Sequence, residues 1–374
     1  MIPHYRRPPS LVCYWRDGAL VAENYATRAR TEISPLVLDV MTRAERWQSI
    51  DALAAQLPRV PRAALASLIE SLAEHDLLEI TRTPTDDPAP LARAWNAWLP
   101  AAGHFHFATR DVAFTPREAT AQRLKKRARR DPPPSPLKPP MAEAGPGRVA
   151  LPSAAMTGAL PDVLLARRTW RRFGARALTM EELSTLLGLT WRVQAWIEVE
   201  AWGRMALKTA PSGGARHSIE AYIVARHVKG VKPGIYHYQP ASHELHLVRP
   251  RATAADIAAY LPRQDWYGAA SALVLMTCVF ERVQWRYPFA RAYRTVLAEA
   301  GHHAQNFCLA ATWLGLAPFC TMALADTRIE RDLRIDGVTE SVLYAAGVGP
   351  RPKGVKWAPW PGTPRTPART PVDR

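Results

Sequence analysis

The first third of the chain alternates between a two-residue and a helical rhythm of apolar side chains. Residues 10–26 read as two short strands around Asp17-Gly18, a dipeptide that favours a hairpin turn. Ser34-Pro35 has the form of an N-cap followed by proline at the first helical position, opening the run Leu36-Val37-Leu38-Asp39-Val40-Met41. Ser49 caps a second predicted helix over residues 50–57. A third runs from Pro61 to about His75, with Leu65, Leu68, Ile69 and Leu72 at helical spacing. Residues 77–81 return to a strand. Hairpin, three helices and closing strand together predict a small winged-helix-like domain over residues 1–85. Helical patterns dominate again from about residue 160 to 350, interrupted by strands predicted at 221–225, 234–238 and 272–280. The fold class expected is α+β.

Between these two domains lies an aromatic-rich connecting segment, residues 86–121, holding Trp95, Trp98, Phe105, His106 and Phe107. Such a density of rings belongs to a core or to a cover over a bound group. Residues 122–153 then carry eight Lys or Arg against two acids, with Pro132-Pro133-Pro134 among them, and read as a basic linker. The main domain is expected over residues 154–352. Residues 353–374 form a basic tail containing Pro359-Trp360-Pro361.

Charge changes the picture less than its size suggests. The formal net charge is +16 over 374 residues. Much of that excess sits on the linker and tail rather than on a folded, nucleic-acid-reading face. No nucleic-acid partner is expected. No apolar run is long enough to cross a bilayer, and the N-terminus has no signal-peptide core. Cys13, Cys278, Cys308 and Cys320 are scattered and show no metal-type spacing, as in a reduced, cytoplasmic protein.

Three segments carry the chemistry. In Arg167-Arg168-Thr169-Trp170-Arg171-Arg172-Phe173, the side chains of Arg167, Thr169 and Arg171 share one side of an extended strand. Two guanidiniums and a hydroxyl suit a phosphate dianion. Pro211-Ser212-Gly213-Gly214 has the small side chains needed where backbone closely approaches a planar ligand. Glu299, His302, His303 and Asn306 recur at three- and four-residue intervals around one helix face. Glu299 and His303 are spaced for a metal, but the HExxH arrangement is absent and no third ligand is evident, so no metal site is predicted.

In this order and spacing, the three segments resemble the nitroreductase superfamily. The stretch from Ser212 through His217-Ser218-Ile219-Glu220-Ala221-Tyr222 to Pro233-Gly234-Ile235-Tyr236-His237-Tyr238 resembles its SagB-type branch of peptide dehydrogenases. The resemblance implies an FMN cofactor. Arg167, Arg168, Thr169 and Arg171 would clamp its phosphate, assisted by Gly347, Gly349 and Arg351. Pro211, Ser212, Gly213 and Gly214 would lie against its ring, and Glu299, His302 and Asn306 along it. It also implies a homodimer with flavins at the subunit interface, a ribosomally made precursor peptide as substrate, a leader-binding role for residues 1–85, and a cyclodehydratase partner. In azoline-oxidising relatives a Lys-Tyr pair is associated with catalysis. Lys208 is accordingly the candidate base, while Thr209 stands where that pair has its phenol. His217 and Tyr222 are expected to be structural. Two other readings compete: a small-molecule nitro or quinone reductase using NAD(P)H, and a non-catalytic peptide-binding scaffold.

Overall fold

The computed structural model describes residues 2–85, 87–131, 157–200 and 203–355. Most of the expected linker and tail lies outside these residues. The N-terminal unit comprises β1 (His4–Arg6), β2 (Leu11–Arg16), β3 (Ala19–Asn24), β4 (Ala29–Glu32), α1 (Pro35–Arg43), β5 (Gln48–Ser49), α2 (Ile50–Gln56), α3 (Arg62–Glu74) and β6 (Glu79–Thr81). Its helices start as the sequence predicts. The Ser34 hydroxyl accepts from the Val37 amide and that of Ser49 from the Ala52 amide, satisfying donors that a helix start leaves open. Two small sheets result: β1 between β5 and β6, and a meander β2–β3–β4. Tyr5, Val40, Met41, Leu53, Leu65, Ile69 and Leu77 close the core between helices and strands.

The connecting segment forms α4 (Pro90–Trp95) and α5 (Ala101–Ala108), and the basic run continues as the exposed α6 (Arg117–Arg130). Its aromatic residues other than the exposed Phe105 are core rather than cover. Trp95 and Trp98 are both 0% exposed and pack against each other and against Phe280 and Tyr293. Their indole N–H groups donate to the carbonyls of Val338 and Tyr287, so the segment is bonded to the main domain at two points. Tyr25 of the N-terminal unit stacks on Phe107 in the same cluster.

The main domain adds α7 (Ala159–Ala166), α8 (Met180–Thr190), a hairpin of β7 (Ala195–Val199) and β8 (Gly203–Leu207), then β9 (Ile219–Ala225), β10 (Gly234–Gln239), β11 (Glu244–Pro250), α9 (Ala254–Tyr260), β12 (Ala272–Val279), α10 (Phe280–Gln284), α11 (Tyr293–Trp313), β13 (Leu316–Thr321), α12 (Asp326–Leu333) and β14 (Glu340–Pro350). Six strands form an antiparallel sheet in the order β11-β10-β9-β12-β14-β13. Alternation along β9 and β12 fixes its two faces. Ile219, Ala221, Ile223, Val274 and Met276 pack on the side of α8 and α11, whereas Val224, Leu273 and Leu275 pack on the side of α9 and α12. The α+β class is as expected. Its strands include those predicted at 221–225, 234–238 and 272–280, each shifted by two residues or fewer.

Candidate active site

The three chemistry-bearing segments meet α11 at two places. At its C-terminal end, Arg167 closes α7, its amide donating to the Val163 carbonyl. Arg168 donates to the carbonyls of Leu165 and Arg167, capping that helix end. The chain then continues without regular secondary structure, bending at Arg171. The Trp170 amide donates to the Pro318 carbonyl (2.9 Å) and that of Gly174 to the Pro350 carbonyl (2.7 Å), pinning the basic segment to β13 and the end of β14. Arg351 lies over the Trp170 ring at 5.5 Å and donates to the carbonyls of Leu316 and Thr312. The structure thus brings Arg351 beside the Arg167–Arg171 segment. Gly347 and Gly349 have a packing reason as well: a side chain at either would run into the ring of Phe319 or Phe173.

Nearer the N-terminal half of α11, Glu299 is buried and organises the glycine loop. Its carboxylate accepts from the Ser212 hydroxyl (2.7 Å), the Ser218 hydroxyl (3.2 Å) and the Ile219 amide (3.2 Å). Burial nonetheless pushes its pKa up, the three hydrogen bonds opposing. One turn on, His302 donates through Nδ1 to the Pro211 carbonyl at 3.0 Å. Asn306 lies two turns beyond Glu299 and is half-buried. His303 is turned the other way, donating from Nδ1 to the Thr190 carbonyl and stacking on Trp191. Among the described residues no group of three or more His, Cys, Asp or Glu is arranged to hold a metal.

The loop itself is tightly wound. Ala215 and Arg216 donate back to the carbonyls of Ser212 and Gly213, and the His217 amide donates to the Ser212 hydroxyl. Gly214 has φ +60°, with Ala215 and His217 also in the left-handed region. A side chain at Gly213 would strike Thr295, and one at Gly214 would strike Arg286. The two glycines therefore let the loop press against its own chain, and their own amides are not used within the turn.

Beside this loop opens a cavity of about 530 Å³, on the face of the sheet away from α11. Lys208 lines it, and among the described residues its amine makes no hydrogen bond or ion pair. Burial lowers its pKa; Glu220 and Glu299 act to raise it and Arg282 to lower it further. Glu220 is engaged elsewhere, accepting from His237 Nε2 at 2.7 Å and from Arg282. Together these partners outweigh its burial and hold it down at about 2. Arg282 also donates to the His217 carbonyl (2.9 Å), tying the loop to the cavity wall. Glu340 accepts from Thr277 and from Tyr222, and burial pushes it up. His217 donates through Nε2 to the Ala206 carbonyl and is neutral, with its pKa lowered to about 4 mainly by burial.

Sequence reasoning placed Lys208, Ser212 and Glu299 together but assigned nothing to Glu220, His237, Arg282 or Glu340. The usable signal was alternation. Glu220 and Tyr222 lie two apart on β9, and His237 is the register partner of Tyr222 on β10, so all three fall on one sheet face. Arg282 and Glu340 arrive from elements too distant in sequence for any local rule.

A family model described as the Nitroreductase family matches residues 164–350, half of the chain. A Methanocaldococcus jannaschii protein named as a nitroreductase is 32% identical over 176 residues, covering 47% of this chain and 84% of that one. The trifolitoxin-processing protein of Rhizobium leguminosarum bv. trifolii is 32% identical over 173 residues; the match covers 45% of this chain and 46% of that protein, so the chain spans about half of that relative's length. Among solved structures, one from Anabaena variabilis named as a nitroreductase shares 27% identity at a TM-score of 0.45, over 52% of this chain and 38% of that one. The chain belongs to the nitroreductase family: it is an oxidoreductase whose cofactor is FMN.

Proposed function

We propose that the protein is a SagB-type, FMN-dependent dehydrogenase of a ribosomally made precursor peptide, oxidising an azoline or a related unit of the core peptide. The observation that carries this reading is Lys208, an unpaired, half-buried amine in a cavity beside the loop that Glu299 anchors. The similarity to the trifolitoxin-processing protein supports it. Arg167, Thr169, Arg171 and Arg351 would hold the phosphate, and Pro211–Gly214 the ring. Bound FMN supplies a two-electron acceptor that takes a hydride. The carbon that loses the hydride must also release a proton, which Lys208 would accept. A lowered pKa leaves a larger neutral fraction for that purpose. Thr209 cannot supply a phenol. Its hydroxyl donates to the Leu189 carbonyl at 2.6 Å, so any second proton-handling group must come from the cavity wall.

The two half-sites support a shared, homodimeric arrangement. Thr312, which Arg351 caps, lies thirteen residues beyond Glu299 on α11, or about 20 Å along the axis. Two copies would place one chain's clamp against the other's loop. The N-terminal unit, with β2 and β4 as edge strands, would take the leader as an added strand. The test is mass analysis of a cyclised precursor peptide after incubation with the FMN-loaded protein. Loss of two hydrogen atoms, greatly slowed in Lys208→Met, is expected. Reduction of a nitroaromatic by NAD(P)H with no change in any peptide would establish the small-molecule reductase instead.

A further inference from the structure

The cavity around Lys208 has an uneven charge. Arg282 is matched by Glu220, and Glu340 is hydrogen-bonded to Thr277 and Tyr222. Two further cations line it, Arg204 of β8 and Arg216 of the loop. Each is laid on a tryptophan: Arg204 over Trp196 at 4.3 Å, and Arg216 over Trp285 at 5.0 Å. Stacking fixes the plane of a guanidinium and leaves its N–H edge directed sideways. Arg216 is held further by a bond from Nε to the Gly214 carbonyl (3.2 Å). Among the described residues, the carboxylate paired with Arg204 is Glu198, at 3.9 Å and well exposed. Such a pair in solvent is weak and easily exchanged for a better acceptor.

We propose that Arg204 and Arg216 form a tryptophan-backed clamp that seats a carboxylate of the substrate peptide, C-terminal or from an Asp or Glu side chain, beside Lys208. This rests on the peptide reading above and narrows it to peptides with an acidic group next to the oxidised unit. A planar carboxylate meets two planar forks whose ring contacts narrow their sweep and so lower the cost of ordering them. It also places a negative charge near Lys208, which favours the protonated amine and so helps hold the proton once taken.

The test uses the full-length, FMN-loaded protein and three probes: N-benzoylglycine, its primary amide, and N-acetylaspartic acid α-amide. Binding is read by calorimetry. The state of Lys208 is read by the pH at which acetic anhydride acetylates it, mapped by peptide mass analysis. Either acid is expected to bind and to move Lys208 acetylation to higher pH, while the primary amide does neither. Preference between the two acids reports whether the carboxylate is terminal or from a side chain. Arg204→Gln and Arg216→Gln should each weaken acid binding about tenfold. Arg216→Lys, which keeps the charge and loses the fork, should fall between wild type and Arg216→Gln. Equal binding of acid and amide, or undiminished binding in Arg204→Gln and Arg216→Gln with FMN still bound, would overturn the clamp. Peptide oxidation is measured separately, so a failed clamp and a failed peptide reading give different results.

Discussion

Lys208 and Glu299, which flank one loop from different elements, do two unlike jobs. Glu299 is structural in the strict sense that three donors converge on it from Ser212, Ser218 and Ile219. Replacing it by alanine strands those donors in a buried site, at a cost of about 1–3 kcal/mol. Glu299→Ala should therefore lower the melting temperature and release FMN more readily, whereas Glu299→Gln should do less of both. Among the described residues Lys208 has no such partners, so its removal should cost chemistry rather than stability. Lys208→Met is expected to fold normally and lose the limb of kcat that rises with pH. That limb follows from sign: a base works when deprotonated, and burial has moved Lys208 downward from its ordinary value, so activity climbs as pH rises through the lowered pKa. A pH–rate profile of both proteins checks this.

At the scale of elements, the connecting segment is the part whose role changes most on moving from sequence to structure. Trp95 and Trp98 sit under α10 and α11 with their N–H groups bonded to main-domain carbonyls. Trp95→Ala should destabilise the whole fold by about 3–5 kcal/mol, measurable by denaturant unfolding, rather than loosen only an N-terminal appendage. The helices of residues 35–74 were legible because caps and apolar spacing are local signals, and Ser34 and Ser49 act where they were read. The pairing of β1 with β5 and β6 was not, since β1 is only three residues long and its partners lie 43 or more positions away. The same limit hid the Glu220–His237–Arg282 group. Its members stand 17 and 62 positions apart: the antiparallel register brings His237 to Glu220, and Arg282 reaches them from α10. Gly213 and Gly214 show a subtler case. Their smallness was visible, but the reason found in the fold is the approach of Thr295 and Arg286.

For the whole molecule, two consequences follow from buried histidines and from the length of α11. His106 and His303 are buried, and burial lowers both to about 3, from an ordinary value of 6.5. A group whose folded pKa is depressed gives stability that is full above its unfolded pKa and is lost as pH falls toward the folded one. Between about pH 6.5 and 3 each histidine should withdraw about 1.4 kcal/mol per pH unit. Thermal unfolding followed from pH 8 to 4 should show a fall that begins near 6.5 and is reduced in His106→Gln if its bond to Tyr293 is retained. The spacing of the half-sites makes a second prediction. A clamp variant, Arg171→Gln, and a loop variant, Ser212→Val, should each bind FMN poorly alone. Co-expressed, they should recover one intact site per mixed dimer, detected by FMN content after tandem-tag purification.

The most direct check of the account is the absorption spectrum of the purified protein, taken with mass analysis of any chromophore released on denaturation. Oxidised-flavin bands, FMN as the released species, and their loss in Arg171→Gln are predicted. A wild-type protein that is colourless and remains so after incubation with FMN would contradict the assignment of the Arg167–Arg171 segment and the Ser212 loop, and with it the proposed oxidation of a peptide.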